Sequence, residues 1–136
     1  MQRLVRALAA VLVLTGGAVH LDLWRGGYEG VRFIGPLFLA NAAVSVILAV
    51  ALVVRRDRAV ALAGIALATG SLVALGLSRT VGLLGFMEVG YSVDAMRTIA
   101  AETGAIVALA IAFQLGRQPR QLATVPVRTA QGRSAR

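Results

Sequence analysis

The sequence predicts an all-α fold, a transmembrane four-helix bundle that fills almost all of this 136-residue chain. Four apolar stretches, at about 4–23, 33–54, 59–77 and 98–115, are each close to the ~20 residues that cross a ~30 Å hydrocarbon core. Hydrophobic residues make up 58% of the chain and its mean hydropathy is +0.80, both too high for a soluble domain of this size. We therefore expect an integral membrane protein, surrounded by the lipid bilayer, with no room for a soluble catalytic domain.

The charges sort by sign into the gaps between the apolar stretches. The chain has six acidic and 14 basic residues, and all the basic ones are arginine. Ten of the arginines lie on the side that holds both termini: Arg3, Arg6, Arg55, Arg56, Arg58, Arg117, Arg120, Arg128, Arg133 and Arg136. The positive-inside rule then predicts a multi-pass protein of the cell membrane with both termini cytoplasmic. Because these charges sit at helix ends, we expect them to set topology and face lipid headgroups, and we expect no nucleic-acid partner. Arginine without lysine and abundant alanine, valine, leucine and glycine suit a GC-rich bacterial genome, and we expect the membrane to be a bacterial inner membrane.

The first stretch raises the question of a cleaved signal peptide, since Arg3 and Arg6 precede an apolar run. The segment 17–20 is a poor cleavage motif, however, and apolar character continues through Leu23. We interpret the stretch as the first span. The charged hairpin at 55–58 then predicts that spans two and three pack as antiparallel neighbours.

The two connections on the predicted outer side differ in character. The first, 24–32, carries Trp24 and Tyr28, which suit a membrane interface. The second, 78–97, is long, rich in glycine and still apolar, so it is predicted to lie along the interface or to dip between the helices. After Leu115 the composition turns to glutamine, proline and arginine, which predicts a disordered basic cytoplasmic tail at 117–136.

Small residues recur at four-residue spacing in the third span, at Ala66, Gly70, Ala74 and Ser78. Such a stripe lets another helix backbone approach closely. We therefore expect it to be a packing seam, on which substitution of Gly70 or Ala74 by leucine would destabilise the bundle.

Polar side chains at membrane depth are the candidates for function, and they concentrate in the outer half of the predicted bundle. A carboxylate such as Glu102, about one turn inside the predicted fourth span, is costly there and needs a partner. We hypothesise that Glu102 pairs with Arg79 or His20 and that Asn41 adds a hydrogen bond, while Asp94 caps the fourth helix. The predicted polar cluster or ligand-binding set is His20, Asp22, Asn41, Arg79, Asp94 and Glu102.

Several chemistries find no support in the residues. The chain has no cysteine and one histidine, and a lone His20 cannot hold a metal unaided. No phosphate-binding loop, nucleophile elbow or zinc-protease motif is present. We therefore assign no catalytic residues, metal or cofactor, and we do not expect an enzyme. The one enzymatic alternative left by the residues is a membrane-embedded hydrolase that uses Glu102 and His20.

A resemblance rests on four features of the chain: His20 near the end of span one, the hexapeptide 34–39 (IGPLFL), the hexapeptide 78–83 (SRTVGL) and the acidic Glu102 in span four. With these the chain resembles an uncharacterised family of small four-span actinobacterial integral membrane proteins over roughly residues 15–110. The resemblance implies a topology and a shared polar cluster on the outer side. It implies no reaction.

Two classes of function follow. The first is a non-enzymatic accessory or assembly component whose outward-facing polar cluster and apolar outer loop dock a partner, either another membrane protein or a second copy of this chain. The second is a small transporter or sensor that binds a proton, a cation or a small ligand from outside through His20 and Glu102.

Overall fold

The computed structural model describes residues 1–55, 57–90 and 92–116. These residues form four α-helices: α1 (Gln2–Arg25), α2 (Ile34–Val54), α3 (Arg58–Thr80) and α4 (Val93–Leu115), with a short 3-10 turn at Tyr28–Gly30. All four helices are long and apolar enough to cross a membrane. The predicted all-α four-helix bundle is therefore confirmed, whereas the predicted N-in/C-in orientation stays a prediction. The predicted tail at 117–136 lies outside the described residues.

Polar side chains cap the N-terminal ends of α3 and α4. The Asp57 carboxylate accepts a hydrogen bond from the Ala59 N–H (2.9 Å) at the start of α3, and the Ser92 hydroxyl accepts one from the Ala95 N–H (3.1 Å) at the start of α4. Both side chains satisfy backbone N–H groups that the first turn leaves without helical partners. The prediction that Asp94 caps α4 is wrong, because Ser92 occupies that position and Asp94 lies in the first turn.

This earlier cap changes the depth of Glu102. Helix α4 begins at Val93, ahead of the predicted start at residue 98. Glu102 therefore lies roughly 13 Å along the helix from its first residue, at 1.5 Å per residue, rather than one turn inside it. The carboxyl group is close to the middle of the span.

The two halves of the bundle are built differently. We call the half next to the loops 26–33 and 81–92 the long-loop half, and the half next to residues 1 and 116 the termini half. The buried apolar core lies in the termini half and is made mostly of alanine: Ala9, Ala10, Val13, Ala49, Leu52, Ala61, Ala68, Ala105, Ala108 and Leu109. Small side chains let the helix backbones come close, which is the usual basis of packing where lipid removes the hydrophobic driving force.

Glycines mark two of the closest helix contacts. A Cβ atom added to Gly17 on α1 would lie 2.6 Å from the Ser45 Cβ on α2, and one added to Gly64 on α3 would lie 2.9 Å from a Leu109 methyl group on α4. Helix α1 packs mainly on α2 and α4, and α3 packs mainly on α4. Helices α2 and α3 are consecutive in the chain, but they contact each other much less.

The prediction that the small residues of α3 pack against another helix is wrong at Gly70, in the middle of the stripe. A Cβ atom added to Gly70 would meet nothing within 4 Å, and the buried residues of α3 are Ala61, Gly64, Ala68 and Ser78 instead. The four-residue spacing of the stripe does place Ala66, Gly70, Ala74 and Ser78 on one face. That face lines a cavity rather than a neighbouring helix.

Arg6 holds the termini end of α1 against α2. Its side chain is buried, and its Nε donates to the Leu52 carbonyl oxygen (3.0 Å) while Nη2 donates to the Arg55 carbonyl oxygen. These carbonyls belong to the last turn of α2 and its C-cap, where helical partners are missing and the helix dipole attracts a cation. Arg6 thus has a structural role beyond the topological one that its position near the N-terminus predicts.

Candidate functional site

A cavity of about 370 Å³ lies between α2 and α3 in the long-loop half. Small-molecule sites occupy roughly 300–1,000 Å³, so the cavity is large enough for a ligand. Its walls are mainly apolar, and its polar lining residues are few: His20, Tyr28, Asn41, Ser71, Ser78, Glu88 and Thr98. An apolar chamber with a small number of polar groups is typical of a ligand-binding site.

Aromatic rings cover the end of the cavity that faces the loops. The Tyr28 ring makes edge-to-face contacts with Phe38 on α2 (5.2 Å between centroids) and with Phe86 in the 81–92 loop (5.6 Å). Burial raises the pKa of the Tyr28 phenol above its ordinary value of 10.0, and the negative charges of Glu88 and Asp94 raise it further. The Tyr28 phenol, which is part of this aromatic cover, is therefore uncharged over the physiological pH range.

Backbone hydrogen bonds hold residues 83–88 of the 81–92 loop in place. Leu83 and Phe86 exchange two backbone hydrogen bonds (2.7 and 2.8 Å), and the Glu88 N–H donates to the Ser78 carbonyl oxygen (2.9 Å). The tight reversal needs positive φ angles at Gly82 (82°), Leu84 (52°) and Gly85 (82°), a region that glycine enters without steric cost. The loop thereby places Leu83, Phe86 and Glu88 in the cavity wall.

Polar groups from all four helices meet beside the cavity. The Asn41 amide on α2 donates to the Ser71 hydroxyl on α3 (2.6 Å) and accepts from the Ser45 hydroxyl (3.3 Å). Ser71 also interacts with the Glu102 carboxyl group on α4. Glu102 Oε1 lies 3.8 Å from the Nδ1 atom of His20 on α1. A charge or amide at this depth is costly unless it is partnered, and here each helix supplies a partner to another.

His20 lines the cavity, and one of its two ring nitrogens forms a hydrogen bond within α1. Its Nδ1 lies 2.8 Å from the Gly16 carbonyl oxygen, which can only accept, so Nδ1 carries the proton and donates. In the neutral ring Nε2 is then an acceptor. Among the described residues Nε2 has no hydrogen-bond partner, although the side chain is only 6% exposed. The Phe38 ring holds the imidazole from the side, at 5.4 Å between centroids.

The Glu102 carboxyl group occupies space next to Gly16 of α1, which has no side chain. A Cβ atom added to Gly16 would lie 3.1 Å from Glu102 Oε1. Glu102 itself is buried and does not line the cavity. It supports the polar groups that do, through Ser71 and at 3.8 Å from His20.

The structure brings together some of the residues that the sequence singled out. His20, Asn41 and Glu102 meet, and the pairing of Glu102 with His20 is the closer of the two alternatives. Pairing with Arg79 is wrong, since the Arg79 guanidinium pairs with Glu88 instead (3.3 Å). Asn41 bonds to Ser71 and Ser45 rather than to the carboxylate.

Asp22 and Asp94 lie away from the cavity. The Asp22 side chain is exposed, and Asp94 forms an exposed ion pair with Arg97 (3.3 Å) in the first turn of α4. Neither lines the chamber. Sequence reasoning missed Ser71, Thr98 and the aromatic cover; a signal was available for Ser71, which lies three residues before Ala74 and seven before Ser78 and so shares a side of α3 with them.

The described residues contain no group of three histidine, aspartate or glutamate side chains that could hold a metal ion. No protein-family model, curated protein or solved structure matches this chain. The resemblance to four-span actinobacterial membrane proteins therefore stays a prediction, and function has to be argued from the cavity itself.

Proposed function

We propose that the chain is a small multi-pass membrane protein that binds a small ligand in the cavity between α2 and α3, as a sensor or carrier does. The observation that carries this proposal is the partnered polar network beside an otherwise apolar chamber. A bundle that needed only stability would more simply fill this space with apolar side chains, because buried polar groups gain little net stability. The long-loop half faces the outside in this proposal, with both termini cytoplasmic.

A continuous pore through one copy of the chain is disfavoured by the termini half. There the alanine-rich core closes the bundle, with Leu52, Ala105 and Leu109 fully buried. Apart from Arg6, which bonds to the end of α2, the buried polar side chains lie on the other side of this core. Binding without passage suits a sensor, or a carrier that changes conformation.

The test uses two glycines of α3 that both have open space beside them. A Cβ atom added at Gly70 or at Gly76 meets nothing within 4 Å, but only Gly70 lines the cavity. Native mass spectrometry of the protein extracted from its own membranes should show a bound small molecule in wild type and in Gly76→Leu. The adduct should be absent from Gly70→Leu. Equal adducts in all three proteins, or none in any, would overturn the proposal.

A second candidate, partner docking, is favoured by the apolar surface of the 81–92 loop. Leu84, Met87 and Val89 are exposed there, Val89 almost completely (91%). An accessory protein could present these side chains to another membrane protein or to a second copy of this chain. The absence of cysteine makes a single Val89→Cys variant uniquely reactive.

In intact cells, Val89→Cys should react with a membrane-impermeant maleimide, because the proposed orientation places the loop outside. A photoactivatable crosslinker on the same cysteine should join a partner if docking is the function. Labelling only after permeabilisation would contradict the orientation. Labelling without any crosslinked product would contradict docking.

A further inference from the structure

Part of the cavity wall is exposed at the side of the bundle, between α2 and α3. Leu37 and Ala40 of α2 and Ala66 and Gly70 of α3 line the chamber and are also exposed at the bundle surface. These residues lie within the membrane-spanning stretches of the two helices. At the loop end the rings of Tyr28 and Phe86 cover the chamber instead. The exposed part of the wall is therefore the part that acyl chains contact.

The polar lining of the chamber retains both acceptor and donor capacity for hydrogen bonds. The hydroxyls of Ser71, Ser78 and Thr98 donate to carbonyl oxygens of their own helices, at 2.8–3.1 Å. In the neutral ring His20 Nε2 is an acceptor, and it has no hydrogen-bond partner among the described residues. Asn41 retains one amide N–H after donating to Ser71. A group that donates once and accepts once matches this set, and a hydroxyl does both.

Charge in the chamber also restricts the ligand. Among the described lining residues Glu88 carries the one formal charge, and it pairs with Arg79 (3.3 Å) at the loop end. The ring of His20 is only 6% exposed and lies in mainly apolar surroundings, which favour its neutral form. A charged ligand group would thus enter an apolar space without a counter-charge, which is unfavourable.

We infer that the ligand is a neutral lipophilic alcohol, which enters from the bilayer between α2 and α3 and donates its hydroxyl hydrogen to Nε2 of His20. The hydrocarbon part lies along the apolar walls formed by Leu37, Val44 and Leu67. This inference rests on the proposed function, since it names the chemical class that the proposed cavity takes.

The experiment uses the full chain in phosphatidylcholine–phosphatidylglycerol vesicles and three matched probes. These are hexadecanol with a photoactivatable diazirine in its chain, the corresponding methyl ether, and the corresponding carboxylic acid. The alcohol should label peptides of α2 and α3 that line the cavity. The ether accepts but cannot donate, so its labelling should be about fivefold weaker, the effect of one neutral hydrogen bond of about 1 kcal/mol. The acid should be weaker still.

Three variants locate the labelling and its cause. Gly70→Leu should abolish the cavity labelling, and Gly76→Leu, with equal open space but no cavity contact, should retain it. His20→Leu should remove the preference for alcohol over ether. If His20→Leu fails to fold, the comparison of the three probes on wild type carries the test alone.

The possible results separate the two proposals. Cavity labelling that Gly70→Leu abolishes, but that is equal for alcohol, ether and acid, would overturn the alcohol inference and support ligand binding. Labelling that is unchanged by Gly70→Leu for every probe would overturn the proposed function together with the inference. A preference for the acid would overturn the inference by showing that the chamber takes a charged group.

Discussion

At the scale of single residues, the closest contacts of this bundle depend on glycines that differ sharply in their surroundings. Gly17 faces Ser45 of α2, Gly16 faces Glu102 of α4, and Gly70 faces the cavity. The sequence alone shows each of these as a small residue on a helix. Only the three-dimensional arrangement decides whether the missing side chain serves helix contact, a carboxyl group or a ligand.

Gly17→Ala should destabilise the protein by roughly 1–3 kcal/mol, the usual cost of overpacking. Its Cβ would lie 2.6 Å from the Ser45 Cβ, so α1 and α2 would have to separate. Gly104→Ala is the matched control, since its Cβ would be at an ordinary 3.6 Å from Leu12, and alanine favours the helix by up to about 1 kcal/mol. Melting temperatures in detergent should fall for the first variant and hold or rise for the second. Similar losses for both would show that α1 and α2 are not in close contact at Gly17.

At the scale of helices, the length of the apolar stretches and the placement of arginine predicted the four helices. How the helices pack against one another was harder to predict from the sequence. Spans are predictable because length and hydropathy are properties of one segment. The start of α4 was missed because Ser92 caps it before the apolar pattern begins. The face of α3 was recognised, yet its neighbour was not, because four-residue spacing fixes which residues share a face and not what that face meets.

At the scale of helices, we predict that Arg6 contributes to stability by joining α1 to the end of α2. Replacing it with leucine removes two charge-assisted hydrogen bonds to the end of α2, each worth roughly 1.5–3 kcal/mol where buried. Arg6→Leu should therefore lower the unfolding free energy by several kcal/mol. Arg3→Leu removes the same charge at an exposed position and should leave it almost unchanged. Chemical denaturation in mixed micelles measures both, and equal effects would mean that the arginines act only through their charge.

At the scale of the whole molecule, the buried alanine-rich core lies in the termini half and the cavity with polar lining residues lies in the long-loop half. Sequence reasoning predicted the polar concentration in one half and identified His20, Asn41 and Glu102 within it. It could not predict the cavity, because a cavity is the space between α2 and α3 and depends on how far apart two helices lie. The partner of Arg79 was missed for a similar reason, since Glu88 reaches it only through the turn at 82–85.

The central claim, that α3 packs tightly in the termini half and lines a cavity in the long-loop half, is tested most directly by two substitutions. Each replaces a glycine of α3 with leucine, one in each half. Gly64→Leu introduces a side chain against the fully buried Leu109 and should lower the melting temperature by several degrees, since overpacking costs roughly 1–3 kcal/mol. Gly70→Leu extends into the chamber, where nothing lies within 4 Å, and should melt with wild type. Measured side by side in the same detergent, equal losses at the two positions would contradict the account, because α3 would then be packed tightly along both halves and no ligand chamber would exist.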